Sequence, residues 1–139
     1  MKAVYATGTN YDDPLSVLEV GTMPEPETKP FWSTIRVNSA SVNHHDVWSL
    51  QGVGLSDEQT PMILGTDAAG VLEEDIPVRK GLKAGSEVVL YTFVGTDGAG
   101  VMPGERRSIL SERYAGTMAE YTQVPSANVF AKPANLNLD

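Results

Sequence analysis

The sequence contains no cysteine among its 139 residues. Disulfide bonds, thiolate nucleophiles and cysteine-ligated zinc are therefore excluded by composition alone. Basic residues are scarce too, since 10 lysine and arginine residues stand against 18 aspartate and glutamate residues, for a formal net charge of -8. A protein that binds the nucleic-acid backbone should present a basic face, so we expect no nucleic-acid partner.

Long apolar runs are also missing. No segment approaches the roughly 18 consecutive apolar residues of a membrane span, and the N-terminus lacks the apolar stretch of a signal peptide. We therefore expect a cytoplasmic protein with no membrane partner. At 41% hydrophobic and 20% charged residues, the composition is that of an ordinary globular protein. The length corresponds to a single domain, on the prior of roughly 100 to 200 residues per domain.

Short apolar or alternating runs fill the chain, separated by Gly, Pro, Asn and Asp, whereas long helical periods are scarce. This pattern is typical of a mainly β protein, and several short strands of this kind suggest a barrel or a sandwich. We predict strands at residues 1–6, 15–20, 33–41, 68–73, 87–92, 118–124 and 129–132. One helix is predicted over residues 43–50, where Val47 and Leu50 share a face and the helix dipole favours Asp46 in the first turn.

Five short motifs follow one another along nearly the whole chain. They are MKA at residues 1–3, NHHDVWSLQG at 43–52, LGTDAAGV at 64–71, GSEVV at 85–89 and GTMAEY at 116–121. Each motif alone is weak, but five in order are difficult to obtain by chance. Together they resemble the GroES-like catalytic domain of the medium-chain dehydrogenase/reductase superfamily. The resemblance implies a highly twisted, partly open β-barrel with short helices, and makes residues 1–139 the substrate domain of an alcohol dehydrogenase-like enzyme.

Two positions in these motifs differ from the zinc alcohol dehydrogenases of that superfamily. Those enzymes present a Cys where Asn43 stands and a Gly-His-Glu where Gly65, Thr66 and Asp67 stand. An amide and a hydroxyl are poor zinc ligands, so no metal is expected here. In this respect the chain resembles the zinc-independent branch, the quinone and enone reductases. A zinc-type alcohol dehydrogenase relative is the weaker enzyme alternative, and a stand-alone GroES-like binding module without catalysis is the alternative of another class.

Four residues are candidates for the catalytic site: Asn43, His45, Asp46 and Thr66. The resemblance implies that Asn43 contacts the substrate carbonyl or the nicotinamide end of the cofactor, although Asn43 is equally suited to cap the helix. His45 corresponds to a proton-relaying Ser or Thr of the alcohol dehydrogenases, and imidazole can deliver a proton near neutral pH; the alternative is a surface residue. Asp46 is expected to fix the helix and orient its neighbours. Thr66 either offers its hydroxyl to the substrate or closes a turn.

Neighbouring His44 and His45 point about 100° apart on a helix, so they are not expected to share a metal ion. A cofactor site is not evident either. The Gly-rich residues 95–104 have the wrong spacing for a dinucleotide site and contain Pro103, which favours a flexible loop.

In the family, a Rossmann domain that binds NAD(P) follows at this point. Asn137 or Asp139 would cap a helix that does not follow in this chain, so we expect the Rossmann domain to be absent from residues 1–139 and to act as a partner in cis. The resemblance implies NADP or NAD in the complete enzyme and no cofactor tightly bound to this chain. It also implies a small carbonyl, enone or quinone substrate and a homo-oligomer when the enzyme is complete.

Overall fold

A computed structural model describes residues 1–77, 81–95 and 107–138 of the chain. The predicted mainly β class is confirmed. The strands are β1 (Lys2–Ala6), β2 (Leu18–Thr22), β3 (Trp32–Ala40), β4 (Met62–Ile63), β5 (Ala68–Leu72), β6 (Glu87–Leu90), β7 (Phe93–Val94), β8 (Ser108–Ile109), β9 (Tyr121–Pro125) and β10 (Val129–Ala131). The helix α1 runs over His44–Leu50, and short 3-10 helices lie at Pro14–Val17, Asp57–Gln59 and Ser126–Asn128.

The named strands pair in antiparallel fashion into three sheets. One sheet has the order β2-β1-β4, a second the order β10-β6-β5-β3-β9, and β7 pairs with β8. The five-stranded sheet curls into a half-barrel, in which β3 lies between β5 and β9. A register shift between Val37 and Ser39 interrupts the pairing of β3 with β5. An extra residue at such a point bends the strand and strengthens its twist, which helps the sheet to curl.

Two hydrophobic clusters form the core. The larger one fills the curl of the five-stranded sheet with Ile35, Leu72, Ile76, Leu82, Val88, Val94, Leu110, Val124 and Val129. The smaller one joins α1 to the three-stranded sheet through Ala6, Leu50, Leu55, Met62 and Leu64. Leu50 is the last residue of α1, and the burial of its side chain in this cluster holds the helix against the sheet that contains β4.

Gly70 allows β5 to approach β3 closely. A Cβ atom at this position would overlap the backbone oxygen of Arg36 on β3. No side chain larger than hydrogen therefore fits without moving one of the strands.

The second strand was predicted three residues too early. Residues 14–17 form a 3-10 helix, and β2 begins only at Leu18. Pro14 stands at the start of that 3-10 helix, where its missing N–H and its fixed φ are tolerated. The alternating apolar pattern of this segment could not reveal the change.

Two other features of the structure differ from the prediction. The predicted strand at residues 118–124 begins later, as β9, at Tyr121. The two-residue strands β4, β7 and β8 were not predicted, because a period of two cannot be recognised over two residues. Most of the Gly-rich segment 95–104 lies outside the described residues, so its interpretation as a flexible loop stays a prediction.

None of the helices in the described part of the chain has the length and apolar character needed to cross a membrane.

Candidate functional site

The site begins where β3 ends and α1 starts. Asn43 stands at the N-cap of α1 in an extended conformation, with φ -121° and ψ 159°. Its backbone N–H donates a hydrogen bond to Asp46 Oδ2 at 2.8 Å, and the Asp46 N–H donates to the Asn43 carbonyl oxygen at 3.0 Å. The Asp46 carboxylate thus stabilises the first turn, where the free N–H groups and the helix dipole favour a negative charge.

Asp46 also ties the helix to the second motif. Its side chain is only 4% exposed, and its Oδ1 accepts a hydrogen bond from the backbone N–H of Gly65 at 2.9 Å. Gly65 has a φ of +94°, and a Cβ atom there would lie 2.6 Å from Thr117 Oγ1. Only glycine suits this turn, because it combines a positive φ with close contact to a neighbouring segment. The turn places Thr66 directly beside Asn43.

Asn43 is the centre of a small polar cluster with Ser41, Thr66 and Asp67. Its Nδ2 donates to Thr66 Oγ1 at 3.2 Å and to Asp67 Oδ2 at 3.1 Å, and it lies 3.4 Å from Ser41 Oγ. The hydroxyl of Ser41 donates to Asp67 Oδ1. The amide has two hydrogens, and both have partners inside the domain.

The Thr66 hydroxyl differs from the other groups of this cluster. It accepts a hydrogen bond from Asn43, and among the described residues it donates none. Its side chain is buried, with the residue only 5% exposed. A hydroxyl that already accepts a hydrogen bond is polarised to donate its own proton. Within this cluster, the Thr66 hydroxyl hydrogen is therefore the one that has no acceptor among the described residues.

His45 points away from this cluster. Its Nε2 lies 3.2 Å from Glu112 Oε1, and its Nδ1 lies 3.5 Å from Ser49 Oγ. His44 instead stacks on Trp48, with the ring centroids 5.8 Å apart. The two imidazoles diverge, as expected for consecutive residues on a helix.

The structure brings Asn43, Asp46 and Thr66 together and places His45 against a carboxylate that sequence reasoning missed. Glu112 lies 67 residues after His45 and belongs to none of the five motifs. No local pattern in the sequence signals its proximity to the helix.

His45 and Glu112 line an open pocket of about 670 Å³. The other described lining residues are Tyr91, Phe93, Val94, Arg107, Ser108 and Ile109. The rings of Tyr91 and Phe93 lie side by side, with their centroids 5.8 Å apart, and both are about half exposed. Mainly apolar walls with a few polar groups are the usual form of a small-molecule site.

Comparison with known proteins assigns the fold and the family. The family model described as the alcohol dehydrogenase GroES-like domain matches residues 29–134. The chain belongs to this family. The GroES-like fold expected from the sequence is thereby confirmed, and the domain is a member of the medium-chain dehydrogenase/reductase superfamily. A comparison with curated protein sequences gives no match.

Solved structures with this domain are much longer than the chain. An NAD-dependent alcohol dehydrogenase superposes with a TM-score of 0.81 at 34% identity, over 99% of this chain and 41% of its own. A cobalt- and zinc-bound thermostable alcohol dehydrogenase from Pyrobaculum aerophilum gives a TM-score of 0.77 at 27% identity, over 96% of this chain and 41% of its own. The chain thus spans about two fifths of the length of these structures.

A third structure extends the fold beyond alcohol dehydrogenases. The 2-octenoyl-CoA carboxylase reductase CinF from a Streptomyces species superposes with a TM-score of 0.81 at 21% identity, over 99% of this chain and 40% of its own. At this identity the likeness concerns the GroES-like fold alone.

Zinc does not fit the residues at positions 43 and 66 of this GroES-like domain. Asn43 and Thr66, which stand where zinc alcohol dehydrogenases have Cys and His, are hydrogen-bonded to each other. Within residues 1–77, 81–95 and 107–138, no group of three or more His, Cys, Asp or Glu side chains is arranged to hold a metal ion. The donor set here is an amide, two hydroxyls and a single carboxylate, whereas zinc in proteins takes Cys, His and carboxylate ligands.

Proposed function

We propose that this domain is the substrate-binding half of an NAD(P)-dependent oxidoreductase that works without zinc. In the complete enzyme the domain would act together with a Rossmann domain. The proposal is supported by the family match and by the oxidoreductase neighbours, one of which is an NAD-dependent alcohol dehydrogenase. The choice between NADP and NAD belongs to the Rossmann domain, where a 2′-phosphate or a 2′-hydroxyl is recognised.

The observation that carries the proposal is the uncommitted hydroxyl hydrogen of Thr66. When bound, the nicotinamide cofactor supplies a hydride. As the new C–H bond forms at the β-carbon of an enone or quinone, the electron pair of the C=C bond moves towards the carbonyl oxygen. In the absence of a metal, a hydrogen-bond donor must stabilise this negative charge. Thr66 would donate to the oxygen, and Asn43 would polarise Thr66 and lie near the nicotinamide end of the cofactor.

His45 would supply the proton that completes the reduction. The pocket that it lines has aromatic and aliphatic walls in Tyr91, Phe93 and Ile109, which suit a flat, apolar, unsaturated substrate. Asn43 and His45 are two residues apart at the start of α1, so the polar cluster and the pocket belong to one end of one helix. Asp46 touches neither the cluster's hydroxyl nor the pocket, and its role is to position Asn43 and the turn before Thr66.

The proposal is tested with the complete enzyme, containing the cofactor domain, on enone and quinone substrates with NADPH and NADH. Thr66→Val removes the hydroxyl while keeping the shape of the side chain, and should lower the rate of hydride transfer roughly 100-fold or more. Thr66→Ser restores the hydroxyl and should restore most of the rate. Equal single-turnover rates in the Val variant and the wild type would refute Thr66 as the donor.

Metal analysis separates the zinc-type alternative. Protein purified without chelator should contain far less than one equivalent of zinc, and added chelator should leave the rate of enone reduction unchanged. One equivalent of zinc that is needed for activity would instead support a zinc alcohol dehydrogenase relative. Absence of turnover with any carbonyl, enone or quinone would favour a binding module.

A further inference from the structure

Glu112 is the only described carboxylate in contact with the imidazole of His45. The two side chains are 3.2 Å apart between Nε2 and Oε1, and they are 17% and 27% exposed respectively. This contact joins the first turn of α1 to the segment that follows β8, although the two residues are far apart in the sequence.

Several contacts hold Glu112 in this place. Its second carboxylate oxygen, Oε2, accepts a hydrogen bond from Ser108 Oγ at 3.2 Å, and its backbone carbonyl accepts one from Gln59 Nε2 at 2.9 Å. The preceding residue, Ser111, is fully buried and has a φ of +73°. A non-glycine residue in this left-handed region carries strain, which the surrounding structure must hold. Both the backbone and the carboxylate of Glu112 are therefore fixed from several sides.

Gly54 makes room for the carboxylate. A Cβ atom on Gly54 would overlap Glu112 Oε1 and would lie 2.9 Å from its Cδ. The turn after α1 thus leaves a space that the Glu112 carboxylate occupies where it contacts His45.

We propose that Glu112 is a positioning residue that fixes the tautomer of His45. The carboxylate accepts a hydrogen bond from Nε2–H, so the neutral imidazole carries its proton on Nε2 and keeps a lone pair on Nδ1. The tautomer of a histidine is set by the hydrogen bond that its other ring nitrogen makes. Proton exchange by His45 then takes place at Nδ1, next to the Ser49 hydroxyl. This use of the imidazole rests on the proposed function, whereas the tautomer itself does not.

The tautomer is measured on this chain without substrate or cofactor. Two-bond proton–nitrogen correlation spectra of protein labelled with 15N-histidine show which ring nitrogen bears the proton. The spectra are recorded above pH 8, where an ordinary imidazole is neutral. The chain has two histidines, so His44, stacked on Trp48, serves as the internal reference. We expect His45 to show a protonated Nε2 and an unprotonated Nδ1.

Variants of Glu112 then test the cause. Glu112→Leu should shift the tautomer ratio of His45 roughly tenfold towards Nδ1–H, equivalent to about 1.4 kcal/mol, which is the order of a hydrogen bond to a charged group. Glu112→Gln keeps an acceptor oxygen and should retain the Nε2–H tautomer. Gly54→Ala keeps the carboxylate but displaces it, and should act like Glu112→Leu. Glu73→Gln, which removes the carboxylate paired with Arg36, is the matched control and should leave His45 unchanged.

The proposal is overturned if wild-type His45 carries its proton on Nδ1, or if Glu112→Leu and Gly54→Ala both leave the tautomer ratio unchanged in proteins with native amide spectra. If a Glu112 variant does not fold, the wild-type spectrum and Gly54→Ala still decide. Because no turnover is measured, this outcome is independent of whether the complete enzyme reduces enones.

Discussion

Replacement of Asp46 by Asn should destabilise the domain strongly, although it changes one oxygen atom into an amino group. Asp46 is 4% exposed and accepts two backbone hydrogen bonds, from Asn43 N–H at 2.8 Å and from Gly65 N–H at 2.9 Å. Hydrogen bonds to a charged group contribute about 1.5 to 3 kcal/mol each. In the Asn variant one N–H faces another donor, and the remaining bond becomes a neutral one. We expect a loss of about 2 to 4 kcal/mol in the free energy of unfolding.

Urea denaturation followed by circular dichroism measures this loss. With a slope of about 2 kcal/mol per molar urea, the midpoint should fall by roughly 1 to 2 M. The matched control is Asp57→Asn, since Asp57 also accepts two hydrogen bonds, from Thr9 N at 2.7 Å and Thr9 Oγ1 at 2.8 Å, but in an exposed position. There water replaces a lost partner, and the expected cost is below about 1 kcal/mol.

The two variants together decide the argument. If Asp46→Asn costs no more than Asp57→Asn, burial does not strengthen the dependence of the fold on this carboxylate, and the reasoning is wrong. If the predicted difference is found, Asp46 is the link that holds the helix N-terminus against the turn of Gly65.

Three further outcomes are expected. Asn43→Ala in the complete enzyme removes the hydrogen bond that polarises Thr66, so it should slow hydride transfer, though less than the roughly 100-fold expected for Thr66→Val, and should cost about 1 kcal/mol of folding free energy; a normal single-turnover rate in a destabilised protein would leave only a capping role. Gly70→Ala should lower the free energy of unfolding by about 1 to 3 kcal/mol, because its Cβ overlaps the backbone of β3. Gly8→Ala is the control and should be tolerated, since a Cβ there meets only ordinary contacts. Equal losses in the two variants, measured by thermal or urea unfolding, would contradict this. The hydrogen bond to Glu19 raises the pKa of Tyr5 above 10.0, and desolvation and the charge of that carboxylate add to the effect. The stability that this hydrogen bond contributes is therefore complete below about pH 10 and is lost as the pH rises through the folded-state pKa. Glu19→Gln should therefore lower the pH at which one of the five tyrosines ionises in an ultraviolet titration, and an unchanged titration would refute the coupling.

Local patterns in the sequence were sufficient for the fold class and for the position of α1. Short apolar or alternating runs of five or more residues predicted β1, β3 and β5 to within a residue or two, because each of these strands has buried side chains. Asp46, three residues after an N-cap, predicted the start of the helix from its first-turn chemistry alone. The strands β4, β7 and β8 have no such signal, since two residues are held in a sheet only by partners elsewhere in the chain.

The candidate site divides along the same line. The motifs identified Asn43, Asp46 and Thr66, and the absence of Cys and His at the two ligand positions was legible from the residue types. The sequence does not show which hydrogen of the polar cluster lacks an acceptor. That depends on Asp67 and Ser41, whose oxygens accept hydrogen bonds from the Asn43 amide, and on the hydrogen bond that Ser41 donates to Asp67 across the gap between the two segments.

The sequence by itself therefore determined a mainly β domain with GroES-like motifs, in which the zinc-ligand positions bear an amide and a hydroxyl. Only the tertiary structure decided that the Thr66 hydroxyl donates to no described residue and that His45 contacts Glu112. The physical reason is the separation along the sequence of the residues that interact. A periodic pattern or a helix cap is set by neighbours within a few residues, whereas a hydrogen bond between side chains 67 positions apart exists only after the chain has folded and the space beside Gly54 has admitted the carboxylate.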